Sequence, residues 1–188
     1  MILLRIRDLM KVCAGVGLIL SLTLALSAQG NDGHSSSPST TTNQKVISVK
    51  QIDLAGLRKA LTPASKPLLV NFWATWCEPC REEFPDLVKL DAAYKGKIEF
   101  ITISLDELSE INRDVPKFLA EMKATMPAYL LKTPDDDAAI TYVSKDWSGA
   151  LPLTILYDAS GRQTYYRQGK VKLEIVRAEI DKLLKPAN

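Results

Sequence analysis

Val70-Asn71-Phe72-Trp73-Ala74-Thr75-Trp76-Cys77-Glu78-Pro79-Cys80-Arg81-Glu82-Glu83-Phe84-Pro85 is the stretch that decides how this chain is read. It begins inside an apolar run, Leu68 to Trp73, whose length and aromatic content suit a buried strand. Helical spacing then runs from about Glu78 to Tyr94, with Phe84, Leu87, Val88, Leu90 and Ala92 on or near one face. The cysteines fall where the period changes, so Cys77-Glu78-Pro79-Cys80 occupies the opening turn of a helix. Two thiols at this spacing can close a disulfide with little movement. The helix N-terminus stabilises a thiolate on the first of them, which is expected to be the more exposed. Pro79 suits a first turn, where its missing N–H costs little. The same spacing also serves as half a zinc site or as a structural disulfide. Zinc needs about two further Cys or His ligands, and the chain has one other cysteine, Cys13, and one histidine, His34. No metal is expected. A four-residue loop closes little chain entropy, which argues against a purely structural bridge.

Outward from this segment, strand and helix patterns alternate. Asp53 is a candidate cap for a short helix from Leu54 to Leu61. Ile98 to Ile103 is rich in β-branched residues and reads as a second strand. Val115 to Met122 reads as a helix with Pro116 near its start, and Tyr129 to Leu131 as a short strand. Asp135-Asp136-Asp137 opens a weak helix toward Val143, or else a solvated loop. Leu153 to Tyr157 and Thr164 to Arg167 form a hairpin across Asp158-Ala159-Ser160-Gly161, and Val171 to Leu184 is the closing helix. The order predicts an α/β domain, a mixed sheet with helices on both faces.

The 188 residues, 46% hydrophobic and 24% charged, amount to one ordinary domain with a tail. The net charge of +2 gives no electrostatic case for nucleic acid. Arg5, Arg7 and Lys11 precede an apolar run from Val12 to Ala28. A basic segment followed by an apolar one reads as an export signal. At 17 residues the run is just short of a ~20-residue membrane span, so a cleaved signal and an uncleaved anchor both stay open. Either delivers the rest of the chain outside the cytoplasm, with membrane contact through the N-terminal segment if it is kept. Cys13 lies ahead of the apolar run, where a lipid-modified cysteine would have to follow it. Residues 31–45, NDGHSSSPSTTTNQK, contain no apolar side chain and read as a flexible tether carrying His34. The expected organisation is therefore 1–30 signal or anchor, 31–45 linker and 46–188 folded domain. Beyond the targeting segment, basic and acidic residues balance.

Together these residues resemble the active-site segment of the thioredoxin superfamily. More narrowly, the chain is similar to the TlpA/ResA-like extracytoplasmic thiol-disulfide oxidoreductases. Leu151-Pro152-Leu153-Thr154 matches the family's cis-proline segment, and the resemblance runs from about Asp53 to Leu184. It implies a thioredoxin fold with an N-terminal extension and, before the cis-proline strand, an insertion at 106–149. It implies reduction of protein disulfides, typically in cytochrome c maturation. No cofactor is implied beyond the redox-active disulfide. The implied partners are a disulfide-bearing protein substrate and a membrane thiol electron donor, and a monomer is expected.

On that resemblance Cys77 is the attacking thiolate and Cys80 the resolving thiol. Pro152, if cis, presents its backbone beside Cys77, with Leu151 next to it. Trp76 walls the site, whereas Trp73 is expected in the core. Two positions depart from ordinary thioredoxins. Asn71 stands where a buried aspartate is usual and cannot take a proton from Cys80. Glu83, one turn after Cys80, matches a glutamate of the ResA-like proteins and is the candidate base; Glu82 is expected at the surface. Glu78 disfavours a thiolate on Cys77, which makes the couple more reducing. Arg81 offsets part of that effect. Rival readings are a disulfide oxidase or isomerase, and a copper or haem chaperone using the two thiols as ligands.

Overall fold

The alternation inside Leu68–Trp73 explains the architecture. Leu69 and Trp73 bury themselves in one apolar cluster, Leu68, Val70 and Phe72 in another, so the strand they form has a core on each face. In the computed structural model, which describes residues 47–185, this strand is β2, the third element after β1 (Val49–Ile52) and α1 (Leu54–Ala60). There follow α2 (Glu78–Tyr94), β3 (Glu99–Ser104), α3 (Asp114–Glu121), β4 (Ala128–Leu131), α4 (Asp136–Val143), β5 (Leu153–Tyr157), β6 (Gln163–Gln168) and α5 (Leu173–Leu184).

The sheet order is β1-β4-β3-β2-β5-β6. β1, β4, β3 and β2 run parallel, and β5 and β6 return antiparallel. Parallel pairing needs crossover connections, supplied here by helices, whereas β5 and β6 need only a tight turn. Asp158 builds that turn: its carboxylate accepts from the backbone of Ser160 and Arg162 at 3.0 Å, and Gly161 takes φ +87°. On one face α2, α3 and α5 pack over Leu69, Trp73, Phe100 and Leu156. On the other, α1 and α4 pack over Val70, Phe72, Ile103 and Ile155. Asp53 caps α1 by accepting from Gly56 N–H at 2.8 Å, and Asp135 caps α4 by accepting from Ala138 N–H at 2.8 Å.

Two boundaries differ from the sequence reading. Val49–Ile52, unassigned there, is an edge strand paired to β4 alone. Its alternation is too short and too polar to stand out. Residues 106–149, expected as an insertion before the cis-proline strand, supply α3, β4 and α4, and β4 lies in the sheet between β1 and β3. The closing helix begins at Leu173 rather than Val171, because Lys172 is its N-cap and takes extended backbone angles. The signal or anchor at 1–30 and the linker at 31–45, with Cys13 and His34, lie outside the described residues. Among the described residues no helix is long and apolar enough to cross a membrane.

Candidate active site

The carboxyl end of β2 and the start of α2 set the site. Leu105 N–H bonds the Trp73 carbonyl at 2.9 Å, closing β3 against the end of β2. The chain then turns through Ala74–Trp76, with Cys77 N–H on the Ala74 carbonyl at 3.2 Å. Cys77 is the N-cap of α2: its sulfur accepts from Cys80 N–H at 3.3 Å. Cys77 and Cys80 form a disulfide with Cα atoms 5.3 Å apart. Cys77 is 5% exposed and Cys80 is fully buried, so an incoming group meets Cys77 first. Trp76 beside it is 70% exposed, while Trp73 is buried against Phe84 and Phe118, each ring pair 4.9 Å apart. Pro79 lies in the first turn of α2. Glu78 projects into solvent 3.8 Å from Arg81. Trp147 packs on Phe72 and donates to the Ala150 carbonyl at 2.9 Å.

Glu83 is 3% exposed on the sheet-facing side of α2. One oxygen accepts from Asn71 Nδ2 at 3.0 Å, the other from Val171 N–H at 2.9 Å. The same Asn71 nitrogen also donates to Thr154 Oγ1 at 3.0 Å. Asn71 and Thr154 are register partners on β2 and β5, which places both on the face that α2 covers. Burial pushes the Glu83 carboxyl above the usual carboxylate range; the bonds from Val171 and Asn71 and the charge of Lys170 oppose it. Glu82, in contrast, is exposed and pairs with Lys170 at 2.7 Å.

The Leu151–Pro152 peptide bond is cis. Phe72 pairs with Leu153, so one further step of register puts Pro152 opposite Trp73, at the mouth of the Cys77 turn. The Pro152 carbonyl accepts from Gly169 N–H at 2.8 Å. Leu151 packs against the cluster that holds both cysteines, and neither of its backbone groups bonds to another described residue. The arrangement thus gathers Cys77, Cys80, Trp76, Glu78, Pro79, Leu151 and Pro152 at one end of the sheet, with Glu83 buried beneath.

Sequence reasoning missed three contributors. Thr154 and Val171 meet Glu83 and Asn71 only through the fold, 83 to 88 positions away in sequence. Asp106, noted only as the start of the insertion, closes on Thr75. Among the described residues no group of three or more Asp, Glu, His or Cys side chains is placed to hold a metal ion.

The family model described as Thioredoxin matches residues 48–128. The chain is 34% identical over 80 residues to the thioredoxin-like protein YneN of Bacillus subtilis, covering 42% of this chain and 47% of that protein. It is 32% identical over 110 residues to the thiol-disulfide oxidoreductase ResA of Oceanobacillus iheyensis, covering 58% and 53%. The chain therefore spans about half the length of these curated relatives. A crystal structure of a thiol:disulfide interchange protein from Chlorobium tepidum superposes with a TM-score of 0.54 at 25% identity, covering 68% of this chain and 84% of that one. With the sheet order, the Cys-x-x-Cys turn and the cis-proline already in place, these matches lead to one conclusion: the described domain has a thioredoxin fold, and the chain is similar to the ResA-like thiol-disulfide oxidoreductases.

Proposed function

We propose that this protein is an extracytoplasmic thiol-disulfide oxidoreductase that reduces protein disulfides through the Cys77/Cys80 dithiol. The observation that carries the reading is the Cys77–Cys80 disulfide in the first turn of α2, with Cys77 the more accessible sulfur. Export rests on the basic and apolar N-terminal segment. Cytochrome c maturation is the setting that the family resemblance implies.

In the reduced protein, the Cys77 thiolate attacks one sulfur of a substrate disulfide. A substrate thiolate leaves and a mixed disulfide forms. The N–H of Cys80 and the N-terminus of α2 stabilise the attacking thiolate. The unpaired backbone of Leu151 receives the substrate as an added strand. Cys80 then passes its proton to Glu83 and attacks the Cys77 sulfur. The second substrate thiolate departs, and the protein is left oxidised. The substrate has gained two electrons, and its two thiolates take up one proton from Glu83 and one from solvent. Glu83 suits the proton step because burial already favours its protonated form. The disulfide is the only redox group this cycle uses. A membrane thiol carrier returns the electrons, and the N-terminal segment, if retained, keeps the domain at that membrane.

Turnover of a disulfide substrate by the purified protein with a thiol donor tests this directly. Cys77→Ser abolishes turnover. Cys80→Ser accumulates a mixed disulfide that nonreducing electrophoresis resolves and mass spectrometry identifies. Full reductase activity in Cys80→Ser would refute the two-thiol mechanism.

A further inference from the structure

Asp106 is a carboxylate buried without a cation of its own. It is 2% exposed, just past the end of β3, and all its described partners are uncharged. Thr75 N–H lies 3.1 Å from both of its oxygens, Thr75 Oγ1 donates at 2.5 Å and Ser104 Oγ donates at 2.6 Å. The cations around it are committed elsewhere. Arg113 pairs with Glu110 and Asp114, Lys132 with Glu107, and the carboxylate nearest Arg81 is Glu78. Glu107 and Asp136 line the same pocket as Asp106, and add to the negative charge there. A buried, cation-free carboxylate is expensive to keep. An asparagine would accept from the Thr75 N–H at lower cost, so the charge itself calls for an explanation.

Its position supplies one. Thr75 is two residues before Cys77, so their Cα atoms are at most about 7 Å apart. The Thr75 carbonyl is held from the other side by the Arg81 guanidinium at 3.3 Å. Thr75 is thereby clamped at its N–H, its hydroxyl and its carbonyl, immediately ahead of the attacking sulfur. A negative charge fixed to that clamp at a buried position is screened less than one in open water.

We propose that Asp106 is a positioning residue for Cys77: it anchors the Thr75 turn and places a buried negative charge that disfavours the Cys77 thiolate, biasing the pair toward the disulfide and so toward reducing chemistry. This rests on the redox reading of Cys77 and Cys80 given above. A like charge raises the energy of the thiolate. The dithiol is then less stable relative to the disulfide, and the couple donates electrons more readily.

The test equilibrates the full chain with glutathione at pH 8 and compares wild type with Asp106→Asn, which keeps an acceptor for Thr75 and removes the charge. The equilibrium constant for reduction of the protein disulfide rises at least threefold in Asp106→Asn. The pH midpoint for alkylation of Cys77 by iodoacetamide falls in parallel. Thr75→Val, which keeps the charge and loses the hydroxyl bond, slows exchange and leaves the equilibrium within twofold of wild type. An unchanged equilibrium and alkylation midpoint in Asp106→Asn, or a shift of either in the opposite direction, would overturn the proposal even if thermal stability falls. Should Asp106→Asn fail to fold, the carboxyl carbon of Asp106 is followed by NMR in the reduced wild type. The proposal requires that resonance to move through the Cys77 titration, and a flat response rejects it. Wild-type protein that does not exchange with glutathione at all would overturn the redox reading instead, a distinct result.

Discussion

At Glu83 one carboxylate is asked to be both buried and useful. Its two neutral donors, Asn71 and the Val171 N–H, soften the loss of solvent without a contacting cation. Burial wins, and the carboxyl stays protonated to higher pH than an ordinary glutamate. The stability consequence has a definite sign. A folded-state value raised above the unfolded one stabilises the fold below the ordinary value of 4.5. That stabilisation is lost as pH rises through the folded value. Glu83→Gln removes the charged state, so its melting temperature gains on wild type as pH is raised from 4.5 upward. A difference in melting temperature that shrinks with rising pH would contradict this. The same variant slows release of the mixed disulfide, because Cys80 loses its proton acceptor. The sequence made Glu83 legible through its spacing from Cys80. It could not decide between burial and a surface ion pair, because the partners that bury it lie on β5 and in the loop before α5. Asn71 was visible as a departure, yet its bond to Thr154 depends on strand register. Lys170→Ala, by contrast, breaks one contact, an exposed pair with Glu82, and costs less than about 1 kcal/mol in chemical denaturation.

Helix α1 shows how an element can overrule a propensity. Gly56 lies inside it, and Gly→Ala in a helix interior ordinarily gains about 0.5–1 kcal/mol. Here a Cβ would sit 2.9 Å from Ile52 Cβ, a contact too close to keep. Ile52 ends β1, and its branch point cannot swing aside as a flexible chain end would. Overpacking of this kind costs about 1–3 kcal/mol. Gly56→Ala is therefore expected to lower the melting temperature, and a rise would show that α1 can shift away from β1. Helices α1 and α2 and the central strands were readable because their apolar periods agree with their caps, Asp53 before α1 and the cysteine turn before α2, whereas the acidic run before α4 left helix and loop both open. β1 was not, since four residues of mixed polarity become a strand only when β4 offers them an edge. The place of β4 was hidden for a related reason: a parallel strand inside a sheet is recognised by its neighbours, and β4 joins β3 through the α3 crossover.

The molecule as a whole has two cores, and the redox pair belongs to one of them. Phe118 of α3 stacks on both Trp73 and Phe84 at about 5 Å and carries the Arg81 guanidinium over its ring at 5.0 Å. It therefore joins α3 to β2 and α2 directly beneath the Cys77 turn. Phe118→Ala is expected to cost about 3–5 kcal/mol, read as a lower denaturation midpoint, whereas a loss under 1 kcal/mol would mean that α3 collapses to fill the space. Everything the account assigns to chemistry lies at one end of the sheet: the accessible sulfur of Cys77, the cis-proline beside it, the buried proton acceptor, and the carboxylates Glu78 and Asp106. Those two carboxylates favour the disulfide, while the N-terminus of α2 and the Cys80 N–H favour the thiolate. The balance between them fixes the direction of electron flow. The reduction potential of the wild-type Cys77/Cys80 couple, measured by equilibration with a thiol buffer, tests the central claim most directly. A reductase is expected to give a value nearer the roughly −270 mV of thioredoxin than the roughly −120 mV of DsbA; a potential close to −120 mV would contradict the reducing role.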